Sequence, residues 1–84
     1  MSNAPQWSTR TIKLDDGHLL HECSIQTPTG LTHCTGIISD RRGRFTRRFA
    51  ATGRSSFEAA LELSMIAHDT LDRGDAQFYS SRRD

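Results

Sequence analysis

Between Arg41 and Arg54 the chain carries six arginines, Arg41, Arg42, Arg44, Arg47, Arg48 and Arg54, with Phe45 and Phe49 among them and no acid or lysine. A guanidinium is a planar fork that grips phosphate or carboxylate through two hydrogen bonds, and it stacks on flat rings. This stretch is therefore fitted for anion recognition. The histidines and cysteines suggest a different chemistry, because His21-x-Cys23 and His33-Cys34 bring metal-ligand atoms close in sequence. Zinc needs four ligands converging on one point, and no Cys-x-x-Cys spacing occurs. Nucleophilic catalysis by Cys23 beside His21 or His33 needs an activated thiol, an oriented base and an oxyanion site. The pattern supplies none of these, so the expectation is a non-enzymatic chain without metal or cofactor. Asp15-Asp16 reads as turn chemistry. Gly30, Gly36, Gly43 and Gly53 are isolated and form no phosphate-cradling loop.

The elements that position these residues follow from the turn signals. Thr9–Leu14, His18–Gln26, Leu31–Ser39 and Arg44–Thr52 read as strands. They are separated by Asp16-Gly17, Thr27-Pro28-Thr29-Gly30 and Asp40-Arg41-Arg42-Gly43. Ser55 and Glu58 form a capping box that starts a helix, which runs through Leu71 and meets its stop at Gly74. The fold class expected is α+β: a four-stranded antiparallel β-meander with one C-terminal helix packed on one face, ββββα. Residues 7–75 make one small domain, with loose tails at 1–6 and 76–84. At 84 residues there is room for one sheet and one long helix.

Loop length sets register, and register sets faces. A two-residue loop at Asp16-Gly17 pairs Leu14 with Leu19 and Ile12 with His21. Three-residue loops closing at Gly30 and Gly43 pair Cys23 with Thr35 and Thr35 with Phe49. One face then collects Ile12, Leu14, Leu19, Cys23, Ile25, Leu31, Ile37, Phe45, Phe49 and Ala51, and is expected to lie under the helix. The open face collects Lys13, Leu20, Glu22, Ser24, Gln26, Thr32, Arg44, Thr46 and Arg48. The helix is expected to bury Phe57, Ala60, Leu61, Met65, Ala67 and Leu71. Leu63 and Ile66 then fall off the buried stripe and, with Trp7, are candidates for a protein interface.

These placements sort the arginines. Arg44 and Arg48 belong to the open face with Thr46, and Arg41 and Arg42 to the hairpin tip. Arg47 falls on the apolar face, where it either pairs with Glu62, Asp69 or Asp72 or reaches solvent at a sheet edge. The basic set Arg41, Arg42, Arg44, Thr46 and Arg48 is expected to bind an anionic partner, most plausibly DNA or RNA. The alternative is a protein-interaction module that meets an acidic protein surface or a second copy, such as a phage or mobile-element accessory protein. A third reading has the arginines guarding an exposed strand against edge pairing.

From Gly36 to Leu71 the layout resembles AP2 and integrase N-terminal type DNA-binding domains. The likeness rests on a strand, the basic turn Asp40-Arg41-Arg42-Gly43, a strand Arg44–Ala51 containing aromatics, and a helix opening Ser55-Ser56-Phe57-Glu58-Ala59-Ala60. The resemblance implies that Arg42, Arg44, Thr46 and Arg48 face nucleic acid from the open side of the sheet.

Composition sets outer bounds. Apolar content is 35% and charged content 25%, as in soluble globular domains. Net charge is only +1, with a basic middle and an acidic stretch after it. No apolar run approaches the ~20 residues that span a bilayer. Residues 1–6 lack the basic-then-apolar order of a secretory signal. The expectation is a cytoplasmic chain with no membrane partner.

Overall fold

The computed structural model describes residues 7–74 and 76–80. The tail expected at 1–6 and the last four residues of the C-terminal tail lie outside the described residues. Strands β1 (Ser8–Lys13), β2 (Leu19–Gln26), β3 (Thr32–Ser39) and β4 (Phe49–Gly53) form one antiparallel sheet in chain order, followed by helix α1 (Ser56–Asp72). The fold is α+β, ββββα, and β1 and β4 are the sheet edges. Among the described residues no helix is long and apolar enough to cross a membrane.

All three hairpins turn through three-residue loops. The flanking bonds run from Leu14 N–H to His18 O at 2.8 Å, Thr27 N–H to Leu31 O at 2.7 Å and Asp40 N–H to Arg44 O at 3.0 Å. Gly30 and Gly43 close the second and third loops at φ 87° and 76°, where a Cβ would be strained. The first loop contradicts its expected two-residue length. Asp16 adopts φ 58°, a left-handed conformation that aspartate tolerates, and Gly17 follows at φ 78°. His18 Nδ1 donates to Asp15 O at 2.9 Å and locks this wider loop. The extra residue moves the register by one, so Ile12 pairs with Leu20 and Lys13 with Leu19.

The β2–β3 register is as expected, with Cys23 opposite Thr35. The third hairpin begins as expected, with Ser39 bridged to Phe45. It then departs, because Phe49 pairs with Gly36 and Ala50 with Thr35. Residues 46–48 therefore oppose only residues 37–38, which is a β-bulge. Thr46 creates it. Its N–H donates to Ile38 O, and its hydroxyl accepts from Ile38 N–H, each at 2.9 Å. A side-chain oxygen thus replaces a backbone carbonyl in the ladder, and the continuous strand expected from Arg44 is interrupted until Phe49.

These shifts exchange the faces of β2 and β3. Leu20, Cys34 and Ile38 are buried under the helix with Ala51, while Ile12, Leu14 and Phe49 pack at the margins. Leu19, Cys23, Ile25 and Ile37 instead point to the open side, by strand alternation from that register. Glu22 and Thr32, expected on the open face, are buried.

The helix begins as read, with Ser55 Oγ accepting from Glu58 N–H at 3.1 Å. Its buried side differs from the expected one. Ala59, Leu63 and Ala67 are fully buried, Ile66 and Leu71 pack against the core, and Phe57, Leu61 and Met65 are exposed. Apolar residues occur nearly all round α1, so periodicity alone leaves the face open. Steric room decides it. A Cβ on Gly53 would lie 2.6 Å from Ala59 N, and one on Gly36 would lie 3.0 Å from Leu63 Cδ2. The helix backbone rides close to the sheet, and only a face carrying alanines at the tightest points fits. Leu63 and Ile66 thus belong to the core and leave the interface set.

After α1 the chain folds back. Phe45 and Tyr79 exchange both backbone hydrogen bonds, at 2.9 and 2.7 Å. Phe78 packs against the Leu20, Ile38 and Ala67 cluster.

Replacing Leu63 with alanine should cost about 2–5 kcal/mol of unfolding free energy. Leu61→Ala should cost no more than ~0.5 kcal/mol. Urea denaturation of dilute protein measures both, and the reverse ranking would place the wrong face of α1 on the sheet.

Candidate functional site: the open face of the sheet

The arginine run disperses in three dimensions. Arg41 lies across Gly17 of the first turn, in space that a side chain at Gly17 would need. Arg42 is exposed at the hairpin tip. Arg44, expected on the open face, turns toward the helix-side edge. Its Nη2 is 2.7 Å from Asp40 Oδ2, its Nε donates to the same oxygen at 2.8 Å, and its guanidinium lies 6.0 Å from the Phe78 ring centroid. Thr46 is likewise withdrawn, since its hydroxyl is committed to Ile38 N–H. Arg47 sits 5.4 Å from the Tyr79 ring centroid, with Nε 3.4 Å from Tyr79 Oη. Its contact is therefore a tyrosine of the returning chain, not the acidic stripe of the helix. Arg48 alone of the strand arginines lies on the open face, where Nη1 donates to Thr35 Oγ1 at 3.2 Å. Arg54 is exposed just before the helix cap.

Asp40 organises this hairpin. Its Oδ1 accepts the N–H groups of Arg42 and Arg44 at 3.0 and 2.9 Å, and its Oδ2 takes the Arg44 guanidinium. Desolvation would raise its pKa, but the Arg44 and Arg42 bonds and the Arg44 charge outweigh it, holding the carboxyl below the ordinary aspartate value.

The register brings a different set together on the open face. One row across the strands holds Lys13, Leu19, Ser39 and Phe45, and the next holds Thr11, His21 and Ile37. Below them lie Thr9, Cys23, Thr35 and Ala50, then Ile25, His33 and Thr52. His21 Nε2 and Ser39 Oγ share a hydrogen bond of 2.8 Å, and the His21 ring centroid is 6.0 Å from that of Phe45. His33 Nδ1 and Thr52 Oγ1 lie 3.2 Å apart. Glu22 is the one acid within the four strands, and it is buried beneath the opposite face. The charged side chains of this face are therefore Lys13 and Arg48, and two imidazoles and a row of hydroxyls accompany them.

The histidines were the residues that sequence reasoning misplaced. The expected pairing of Ile12 with His21 puts His21 on the face under the helix, whereas the observed register puts His21 and His33 on the open face. A three-residue first loop, which Asp15-Asp16-Gly17 permits, would have moved His21 to the open face of β2. Of the interface candidates, Trp7 remains exposed at the start of the sheet.

Cys23 and Cys34 are free thiols. Cys34 is buried, and that burial pushes its pKa up, with the Glu22 charge adding, Arg10 opposing and Cys23 adding. Cys34 and its neighbour His33 point to opposite faces. Among the described residues no three His, Cys, Asp or Glu side chains gather as a metal site.

Comparison with known proteins finds no matching family model, no matching curated protein and no matching solved structure.

Two measurements test this local chemistry. Because the Asp40 carboxyl ionises below its unfolded value of about 3.9, its stabilising contribution is complete above that pH and is lost as pH falls through the lower folded pKa. Asp40→Asn should therefore flatten the loss of stability between about pH 4 and pH 2, read from thermal melts. Iodoacetamide should modify half-buried Cys23 well before Cys34, as peptide mass spectrometry would show.

Proposed function

We propose that this chain is a non-enzymatic module that binds nucleic acid on the open face of its sheet. The observation carrying this reading is that every fixed charge on that face is positive, while the one strand acid is buried on the other side. Lys13 and Arg48 are placed to meet phosphates, and Arg42 extends the positive charge at the hairpin tip. His21, His33 and Phe45 offer flat rings for bases, and Leu19, Ile25 and Ile37 give apolar ground between them. Hydroxyls of Thr9, Thr11, Thr35 and Thr52 add hydrogen-bonding groups that suit sugar and base edges. Rings set among apolar and hydroxyl side chains on an open sheet face suit the splayed bases of a single strand. Two or three phosphate contacts make the binding weak. The basic set of the sequence reading is thereby narrowed to Arg42 and Arg48 and joined by Lys13, His21 and His33. A reducing, cytoplasmic setting suits the free thiols Cys23 and Cys34.

Fluorescence anisotropy with a labelled single-stranded oligonucleotide tests the proposal. Affinity should fall with a slope of about −2 in log K against log salt, as expected for three phosphates on a single strand. Lys13→Ala and Arg48→Ala should each weaken binding, and Arg44→Ala should change it little because Asp40 neutralises Arg44. Absence of binding at low salt, or equal sensitivity to all three substitutions, would refute the reading.

A further inference from the structure

The opposite side of the molecule carries a surface that nucleic-acid binding does not use. Helix α1 covers β3 and β4, and leaves the helix-side face of β1 and part of β2 bare. The result is a cleft of about 560 Å³ walled by Arg10, Ile12 and Glu22 of the sheet and by Phe57, Ala60 and Leu61 of the helix. Along the uncovered side of the helix Phe57 is 76% exposed, Leu61 50% and Met65 63%. These three residues are spaced four apart and make a stripe about 12 Å long. So large an apolar stripe on one helix of a small soluble chain marks a contact surface.

The cleft floor holds a second mark. Glu22 is only 5% exposed, and its Oε1 takes Arg10 Nη2 at 2.9 Å and Arg10 Nε at 3.0 Å. Its Oε2 is the buried side-chain polar atom without a hydrogen-bond partner among the described residues. A buried carboxylate oxygen left without a donor costs free energy, and an element covering the cleft can bring one.

We propose that the cleft receives helix α1 of a second copy of this chain, antiparallel and related by a two-fold axis near Leu61. The pattern is self-complementary about that residue. Phe57 and Met65 are equally distant from Leu61, so an antiparallel pair sets Leu61 on Leu61 and each Phe57 against the Met65 of the other copy. An aromatic ring and a thioether make a favourable contact. The charges match in the same orientation. Arg10 puts a 60% exposed guanidinium at the cleft wall, and the entering helix carries Glu58 and Glu62 beside its stripe. Arg54 at one helix start faces the acidic last turn, with Asp69 and Asp72, of the other. Ser56 and Ser64 line the cleft as well, so its helix wall carries hydroxyls beside the apolar residues. A two-fold contact needs one surface that fits itself, and both the apolar and the charge patterns of this helix meet that condition. The dimer is a sheet–helix–helix–sheet sandwich, with both open sheet faces left outward for a ligand.

Sedimentation velocity of the full chain over a concentration series tests this. A monomer–dimer equilibrium is expected, and Leu61→Glu should weaken it by about 30-fold or more. Phe57→Ser and Met65→Lys should act in the same direction, whereas Arg48→Ala on the open face should leave it unchanged. In a Cys23→Ser background, Leu61→Cys should give a disulfide-linked dimer on mild oxidation, and Thr29→Cys in the exposed loop should not. A wild-type chain that stays monomeric throughout overturns the proposal, as does a dimer indifferent to the three helix substitutions. If circular dichroism shows that Leu61→Glu unfolds, the cysteine pair decides the matter. Failure here leaves the oligonucleotide result standing, since the two tests use opposite sides of the sheet.

Discussion

Helix α1 lies closer to the sheet than ordinary side chains would permit, because Gly36 and Gly53 place nothing beneath it. Where the helix backbone approaches Gly53, only the alanine side of the helix fits. That closeness orients Ala59, Leu63 and Ala67 downward and sends Phe57, Leu61 and Met65 outward. It also draws the helix over β3 and β4 and away from β1, opening the cleft in which Glu22 and Arg10 are paired. The core, the bare cleft and the apolar stripe thus share one cause.

The arginine-rich segment is governed by two carboxyl and hydroxyl groups of its own neighbourhood. Asp40 draws the Arg44 guanidinium and two backbone N–H groups to itself, which fixes the turn and cancels one charge. Thr46 substitutes its hydroxyl into the ladder and makes the bulge. The returning chain then supplies Phe78 and Tyr79 as ring platforms for Arg44 and Arg47. Side chains dense in sequence are spread over a tip, an edge and a face. What gathers in their place is a less conspicuous set, Lys13, His21, His33 and Arg48, drawn from all four strands or their margins.

The sheet thereby separates two chemistries. Its open side joins positive charge to rings, hydroxyls and half-buried apolar residues. Its helix side holds the apolar core and a single buried carboxylate, and its uncovered portion is the cleft walled by Arg10, Ile12 and Glu22. One strand acid, Glu22, distinguishes the two sides. On the open face it would interrupt the positive surface, whereas under the helix side it leaves that surface free of acids and anchors Arg10 at the cleft.

Local chemistry determined much of this protein from the sequence alone. The order of the elements, the serine cap at Ser55 and the glycine-closed loops at Gly30 and Gly43 follow from interactions within a few residues, and so does the β2–β3 register. The faces do not, because a period-two pattern reverses with a single added residue. Asp16 in the left-handed region adds one in the first loop, and Thr46 adds one in the bulge. The bulge depends on bonds to another strand, and the first loop on a left-handed aspartate that an Asp-Gly pair permits without requiring. The buried side of α1 was equally beyond the sequence, since a helix apolar nearly all round has no preferred side until a sheet lies against it. Tertiary structure decided it sterically, through the two glycines beneath the helix, and so decided which residues reached the surface.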